Sequence, residues 1–450
     1  MSTPRTIEIQ RQAPDGEWIV VGEIFLPEAG RLGGFTYDED YNGPPLCPSL
    51  DYRSSGKRTF VHRPTVGPVV SGPHHDDLHP IFAKALPGPW GELVMNSHSP
   101  TYTKASPAEK LWMLGDWQSG GLRFHSDGGA DYMVFFESQK ALQGLQREID
   151  RFIARYANEK ICPYPLGQEK YRWALSANGG SQPKAAYLDD DGAQHVVKFP
   201  REILGTYQEA RVEQSLLEVS RIAGLRTVES ELISNADKSS ILLTRRFDIH
   251  TDARNNESQS HCIPGSVALG VKSIETVDYL DLARFLREHG AEPEADIEEL
   301  FGRMLLNRAV NNTDDHIDQW VFEQDVHTGR FRLTPNFDVL VTDLEPDGAE
   351  TPHSMAMMGD KSPALSAAWI QRAGQAFGIE ETRASAIAIR VLEAVQQFPD
   401  IARANGVTPS VVMTELEPAM RLAAAQRAVD HLRDQQQAAE QRVRSSGMEM

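Results

Sequence analysis

One junction limits what this chain can become. An apolar helical run, Ile297 to Val310 with Leu300, Phe301, Met304, Leu305 and Leu306 on it, stops at Asn311-Asn312-Thr313-Asp314-Asp315-His316-Ile317-Asp318-Gln319-Trp320. Further on, the segment Leu333-Thr334-Pro335-Asn336-Phe337-Asp338 carries an isolated aspartate, with Val339-Leu340-Val341 behind it. Carboxylates, carboxamides and a histidine gathered after a helix can hold a divalent cation and a hydroxyl nucleophile beside a polyphosphate. The same residue types cap helices and shape polar turns, so the segment alone is equally a helix-to-strand loop.

The bulk properties narrow the setting. A chain of 450 residues with 40% hydrophobic and 24% charged content is long enough for two or three cores and reads as an ordinary globular protein. It has no apolar run of about eighteen residues, and Met1-Ser2-Thr3-Pro4-Arg5 opens no apolar signal core, so the expected location is the cytoplasm, without a membrane. Cys47, Cys162 and Cys262 lie far apart and fit neither a disulfide framework nor zinc spacing. With 45 basic against 64 acidic residues the net charge is −19, the wrong sign for gripping a phosphate backbone unaided.

In chain order, residues 6–37 predict short strands, with Glu17–Phe25 β-branched and aromatic and Phe35-Thr36-Tyr37 after a Gly pair. Ordered loops and short elements follow through Leu86-Pro87-Gly88-Pro89-Trp90-Gly91. Ser106-Pro107-Ala108-Glu109 has the residues of a capping box, with proline in the first turn. Leu142, Leu145, Ile149, Phe152, Ile153 and Tyr156 make one stripe of a helix over 139–157. Pro163 and Pro165 then mark a boundary near 160.

Beyond it, Ser176-Ala177-Asn178-Gly179-Gly180-Ser181-Gln182-Pro183-Lys184 precedes a hairpin, Ala185–Leu188 and Gln194–Pro200 around the turn at 189–192. Glycines let backbone N–H groups approach phosphate oxygens, although such loops are also ordinary turns. Lys198 lies within the second strand, where a half-buried ammonium needs an anionic partner. Glu213, at the edge of the apolar face of a helix over 207–223, can supply it; the alternative is a solvated Glu213 and a snorkelling Lys198. Strands at 231–233 and 241–248 continue the sheet, the latter ending in charged Arg245-Arg246-Phe247-Asp248. After Thr276 the chain reads as mainly helical, ending in helices over 363–377, 380–398 and 409–443, with 445–450 frayed.

In this order and spacing the motifs resemble HipA-type serine/threonine-protein kinases, the toxins of bacterial type II toxin–antitoxin systems, over nearly the whole chain. The resemblance implies Asp314 as the catalytic base and Asp338 as a ligand of Mg²⁺ or Mn²⁺ on the phosphates of ATP. It further implies Gly179, Gly180 and Ser181 as the phosphate-covering loop and Lys198 with Glu213 as the nucleotide pair. Arg246, Phe247 and Asp248 become the segment linking two lobes, where adenine is held, and Asp315 and His316 become supporting residues. A helix-turn-helix antitoxin, HipB-like, is the implied partner, with DNA contacted only through it. The implied protein substrate is of the aminoacyl-tRNA synthetase class, and growth arrest is the consequence.

Four positions depart from the family pattern. Gln319 stands where a second metal-binding asparagine is usual, Asp318 where the residue is often basic, and Arg245 where an acid is common. The family's autophosphorylated serine falls at Ala177, which leaves neighbouring Ser176 as the candidate hydroxyl. These departures also suit a non-catalytic ATP- or partner-binding regulator, and a small-molecule phosphotransferase is a third reading. The expected fold is α+β and bilobal, protein-kinase-like: an N-terminal mixed α/β subdomain at 1–160, a β-rich nucleotide lobe at 161–250 and a mostly helical C-terminal lobe at 251–450.

Overall fold

The computed structural model describes residues 5–13, 15–26, 33–62, 78–99, 101–127, 134–159, 165–176, 179–200, 208–234, 240–251, 257–271, 277–342 and 351–447. The boundary expected near 160, Cys162, Ala177 and the last three residues lie outside them. The chain divides into two compact units: Met1–Leu204 with Glu231–Gly270 and Phe322–Arg330, and Gly205–Ser230 with Val271–Val321 and Phe331–Met450.

The first unit opens with an antiparallel sheet built from β1 (Thr6–Gln12), β2 (Trp18–Phe25), β3 (Gly34–Tyr37), β4 (Thr59–Val61), β5 (Trp117–Ser119) and β6 (Leu122–His125). The strands run in the order β4-β3-β2-β1-β6-β5. Period-two alternation buries Ile7, Ile9 and also Arg11 on one face of β1. Arg11 is tolerated there because its Nη1 donates to Gln324 Oε1 at 3.0 Å and Tyr41 Oη at 3.3 Å. Two short helices follow the sheet's third and fourth strands in sequence, α1 (Pro89–His98) and α2 (Pro107–Met113). The capping box of α2 forms as its four residues predict, with Glu109 N donating to Ser106 Oγ and Ser106 N to Glu109 Oε2.

Helix α3 (Gln139–Glu159) lays its stripe on a second sheet of β7 (Lys184–Leu188), β8 (Gln194–Lys198), β9 (Ser230–Ser234) and β10 (Ser240–Arg245), ordered β7-β8-β10-β9. Leu142, Leu145, Ile149 and Phe152 meet Ala185, Val197, Phe199, Ile241 and Leu243, and Trp90 joins this core. The hairpin pairs Lys184 with Lys198, so both lysines stand on one face. The last expected strand is shorter than the sequence suggests: β10 ends at Arg245, and Phe247 and Asp248 form a turn.

The second unit is mainly helical: α4 (Glu209–Ile222), α5 (Tyr279–His289), α6 (Pro293–Val310), α7 (Ala367–Ala376), α8 (Glu381–Gln396), α9 (Phe398–Ala404) and α10 (Leu422–Gly447). Helix α6 is buried nearly all round, with Leu300, Phe301, Met304, Leu305, Leu306, Ala309 and Val310 at 0% exposure. Gly302 permits the close fit, since a Cβ there would stand 2.8 Å from Leu225 Cδ2. Helix α8 packs against α6, α7 and α10. The single helix expected over 409–443 is broken. Pro418 lacks an N–H and crowds the preceding turn, which is π-helical at Val412–Leu416, and Met420 is extended before α10 begins.

An acidic hub at the start of α6 ties this unit together, and the sequence reading did not single it out. Asp296, fully buried, accepts from Arg226 at 2.6 Å, Arg332 Nε at 2.9 Å and Leu333 N at 3.1 Å. One turn on, Glu299 accepts from Arg226 N at 3.0 Å and pairs with Arg303 at 2.6 Å. Asp296→Ala removes the acceptor that Arg226, Arg332 and Leu333 N share, with Arg332 keeping its pair to Glu292, and urea unfolding should register a loss of about 3 kcal/mol. Asp400→Ala breaks a surface pair whose acid is 89% exposed and should stay within about 0.5 kcal/mol of wild type. Equal effects would deny Asp296 its anchoring role.

Candidate functional site

Helix α6 stops where its backbone turns left-handed at Asn311 (φ 59°), a conformation that asparagine adopts more readily than most residues. Asn311 is held there by reciprocal bonds with Thr342: its Nδ2 donates to Thr342 O and its carbonyl accepts from Thr342 N, both at 2.9 Å. Thr313 N donates to Thr342 Oγ1 at 3.1 Å. A buried chain then links the helix end to the next acid. Asn312 Nδ2 donates to Asn307 Oδ1 at 3.1 Å, Asn307 Nδ2 to Tyr279 Oη at 3.0 Å, and Tyr279 Oη to Asp315 Oδ2 at 2.7 Å.

Asp315 is at 0% exposure and also accepts from His353 Nδ1 at 3.2 Å and Ser354 N at 3.0 Å. Burial, and then the charge of Asp315, push the Tyr279 phenol well above its ordinary pKa, so it remains a donor. Its neighbour Asp314 is exposed. Adjacent aspartates thus have opposite surroundings: one is locked inward by three partners and the other is presented outward.

The isolated aspartate arrives by a separate route. After the strand Phe331–Leu333, Asn336 N donates to Arg226 O at 2.7 Å and Asn336 O accepts from Val228 N at 3.1 Å, a short parallel bridge. Asp338 follows with φ 58° and is half-buried. Gln319 ends the one-turn helix Ile317–Gln319 that His316 precedes, and its Nε2 donates to Asp338 Oδ2 at 3.4 Å. Gln319 and Asp338, about twenty positions apart, are therefore neighbours, and both His316 and Asp318 are half-buried beside them in sequence. A small cleft adjoins the pair, lined by Arg303, Asn307, Asn312, Trp320, Asn336 and Phe337.

Among the described residues no three His, Cys, Asp or Glu side chains converge as a metal cage. Asp338 and Gln319 fit a different arrangement. Rotating the amide of Gln319 by half a turn would offer its oxygen beside the carboxylate, and Mg²⁺ characteristically takes few protein oxygens and completes its shell from water and phosphate.

The expected nucleotide residues fall mostly in the first unit. Gly179, Gly180 and Ser181 are exposed, and Gly180 takes φ +94°, which a side chain would strain. Lys184 Nζ donates to Gly179 O at 2.6 Å. Lys198 ends β8 at 5% exposure, while Glu213, at 1%, belongs to α4 of the second unit. Arg246 and Asp248 engage each other through two bonds, Nε to Oδ1 at 3.0 Å and Nη2 to Oδ2 at 2.6 Å, with Gln259 Nε2 on Asp248 at 2.9 Å. Burial would raise the Asp248 pKa, but the Arg246 charge and these bonds outweigh it and hold the carboxyl below the usual range. Arg245 is exposed and Phe247 half-buried. Ser176 is at 0% exposure with its hydroxyl donating to Arg172 O at 2.7 Å, so here it presents no hydroxyl to solvent.

Residues 176–398 match the family of HipA-like C-terminal domains. Among solved structures, a chain of the Shewanella oneidensis MR-1 toxin–antitoxin complex of HipA, HipB and operator DNA is similar over 95% of this chain and 99% of that one. The identity is 16% and the TM-score 0.64. The Helicobacter pylori proinflammatory kinase CtkA is similar over 55% of this chain and 94% of that one, at 12% identity and a TM-score of 0.38, too weak to bear on the fold. No curated protein sequence gives a significant match. Residues 176–398 thus carry a HipA-like C-terminal domain, and the α+β fold of the chain is that of the Shewanella chain.

Sequence reading missed Tyr279, His353 and Ser354 as partners of Asp315, because they lie 36, 38 and 39 positions away. The available signal was Tyr279 itself, an aromatic at the start of an apolar helix whose phenol needs a partner once buried. Tyr279→Phe removes that phenol and should lower stability by about 1–2 kcal/mol in denaturant unfolding. A loss under about 0.3 kcal/mol would mean that Asp315 does not depend on it.

Proposed function

We propose that this chain is an ATP-dependent serine/threonine-protein kinase that transfers the γ-phosphoryl group to a protein hydroxyl, and that it is the toxin of a toxin–antitoxin pair. The observation that carries this reading is the outward Asp314 on a loop locked by buried Asp315, in the same unit as the neighbouring Asp338 and Gln319. Asp314 accepts the proton of the substrate Ser or Thr hydroxyl as that hydroxyl oxygen bonds to the γ-phosphorus and the bond from the γ-phosphorus to the β–γ bridging oxygen breaks, releasing ADP. Asp315 and His316 keep that loop in place.

Gly179, Gly180 and Ser181 turn backbone N–H groups to the phosphates and Lys198 holds them, with Glu213 the further nucleotide residue that the family resemblance names. Phe247 offers its ring to the adenine, with Arg246 and Asp248 bracing that turn through their mutual pair. Asp338 and Gln319 would hold Mg²⁺, or Mn²⁺ in its place, which supplies neutralisation of charge on the phosphates. Autophosphorylation at Ser176 requires release of its buried hydroxyl.

The similarity to the HipA–HipB–DNA complex and the net charge of −19 support a HipB-like helix-turn-helix antitoxin as partner, with DNA reached through it. The substrate is a cytoplasmic protein, for which the family resemblance points to an aminoacyl-tRNA synthetase, and growth arrest follows. A second reading, an ATP- or partner-binding regulator without catalysis, is favoured by Gln319 and Asp318, which stand where the family usually has asparagine and a basic residue.

Incubation with γ-labelled ATP, Mg²⁺ or Mn²⁺ and a host lysate separates the two readings. Wild type should label a protein band, and Asp314→Ala should lose about 10²–10⁴-fold of that activity. If wild type transfers nothing while ATP still raises its melting temperature, the regulator reading stands instead. Gln319→Asn should raise transfer several-fold or shift the preference from Mn²⁺ to Mg²⁺; no change in either would remove Gln319 from the metal site.

A further inference from the structure

A turn more than eighty positions upstream grips the Gly-rich loop at both ends. At one end Trp90 N donates to Gly180 O at 3.2 Å. Its indole Nε1 donates to Lys184 O, also at 3.2 Å, and Lys184 in turn reaches back to Gly179 O at 2.6 Å. Gly88 lies so close that an added Cβ would stand 2.5 Å from Gly180 N and 3.1 Å from the Gly179 carbonyl carbon. At the other end, a Cβ on Gly91 would stand 2.7 Å from Ser176 O. Trp90 is itself rooted in the core at 3% exposure. Among the described residues, a Cβ on Gly179 would meet nothing within 4 Å.

We propose that the Gly88–Gly91 turn is a positioning element for nucleotide binding: it sets the direction of the loop peptides that face the phosphates. The physical link is the planarity of the peptide. The carbonyl of Gly180 and the N–H of Ser181 belong to one trans peptide and point in opposite directions. Holding that carbonyl on Trp90 N therefore aims the Ser181 N–H away from the turn. The steric contact of Gly88 falls on the preceding peptide, between Gly179 and Gly180, and keeps that one from tilting, because the neighbour is backbone and cannot rotate aside. The inference rests on the reading of residues 179–181 as a phosphate loop and adds the element that shapes it.

The test is a titration of the full-length chain with ATP and, separately, with adenosine, which lacks the phosphates. Gly88→Ala should raise the Kd for ATP about tenfold and leave the Kd for adenosine unchanged, a split that general loosening of the fold would not produce. Trp90→Phe keeps an apolar ring but loses the indole donor, and should raise the ATP Kd about threefold with the same selectivity; it decides the matter if Gly88→Ala does not fold. Gly144→Ala, on α3 where a Cβ meets nothing, should match wild type for both ligands. Wild-type protein that binds neither ligand overturns the nucleotide reading and this inference with it. Wild type that binds ATP, with Gly88→Ala and Trp90→Phe binding equally well, overturns the positioning role alone.

Discussion

The second unit depends on one buried helix whose two ends are polar. Pro293–Val310 spans 18 residues, about 27 Å at the rise of an α-helix. At its start Asp296 takes hold of Arg226, Arg332 and the backbone of Leu333. At its finish Asn307 and Asn311 organise the loop that carries Asp314. The segment from Leu333 onward leaves the first end and runs back along the helix, with Asn336 and Phe337 beside Arg303 and Asn307, until Asp338 reaches Gln319. A helix packed on every side cannot tilt to relieve an error at either end, so the meeting of Asp338 with Gln319 is set by its length and burial.

The same logic explains why Asp314 and Asp315 differ. A carboxylate withdrawn from water is costly unless every lone pair finds a donor, and Asp315 finds them in Tyr279, His353 and Ser354. A buried carboxylate held by three donors selects one loop conformation, because any other strands a charge. Asp314 is left outside that cluster, exposed and accessible to a hydroxyl. In the first unit the corresponding role falls to packing: the Gly-rich loop rests on Gly88 and Trp90, and their glycine and indole are read as ordinary turn and core residues until the contact is seen.

Much of the architecture was legible in the residues alone. The Ser106–Glu109 cap, the stripe of Leu142 to Phe152 and the hairpin around Asp189–Gly192 formed where expected, because each depends on partners within a few positions. The composition of the Asn311–Trp320 stretch, and the resemblance it carries, pointed to the family. The C-terminal helix was misread where Pro418 interrupts it, since an apolar period continues through a break that backbone chemistry forbids.

The sequence by itself thus determined the elements, the family and the cast of polar residues, all matters of local periodicity, capping and motif order. Tertiary structure decided which of two adjacent aspartates is buried, that Asp296 is a hub, and that Gln319 faces Asp338. Those outcomes turn on desolvation and on hydrogen-bond partners that the chain brings in from tens of residues away, and no local pattern encodes such a meeting.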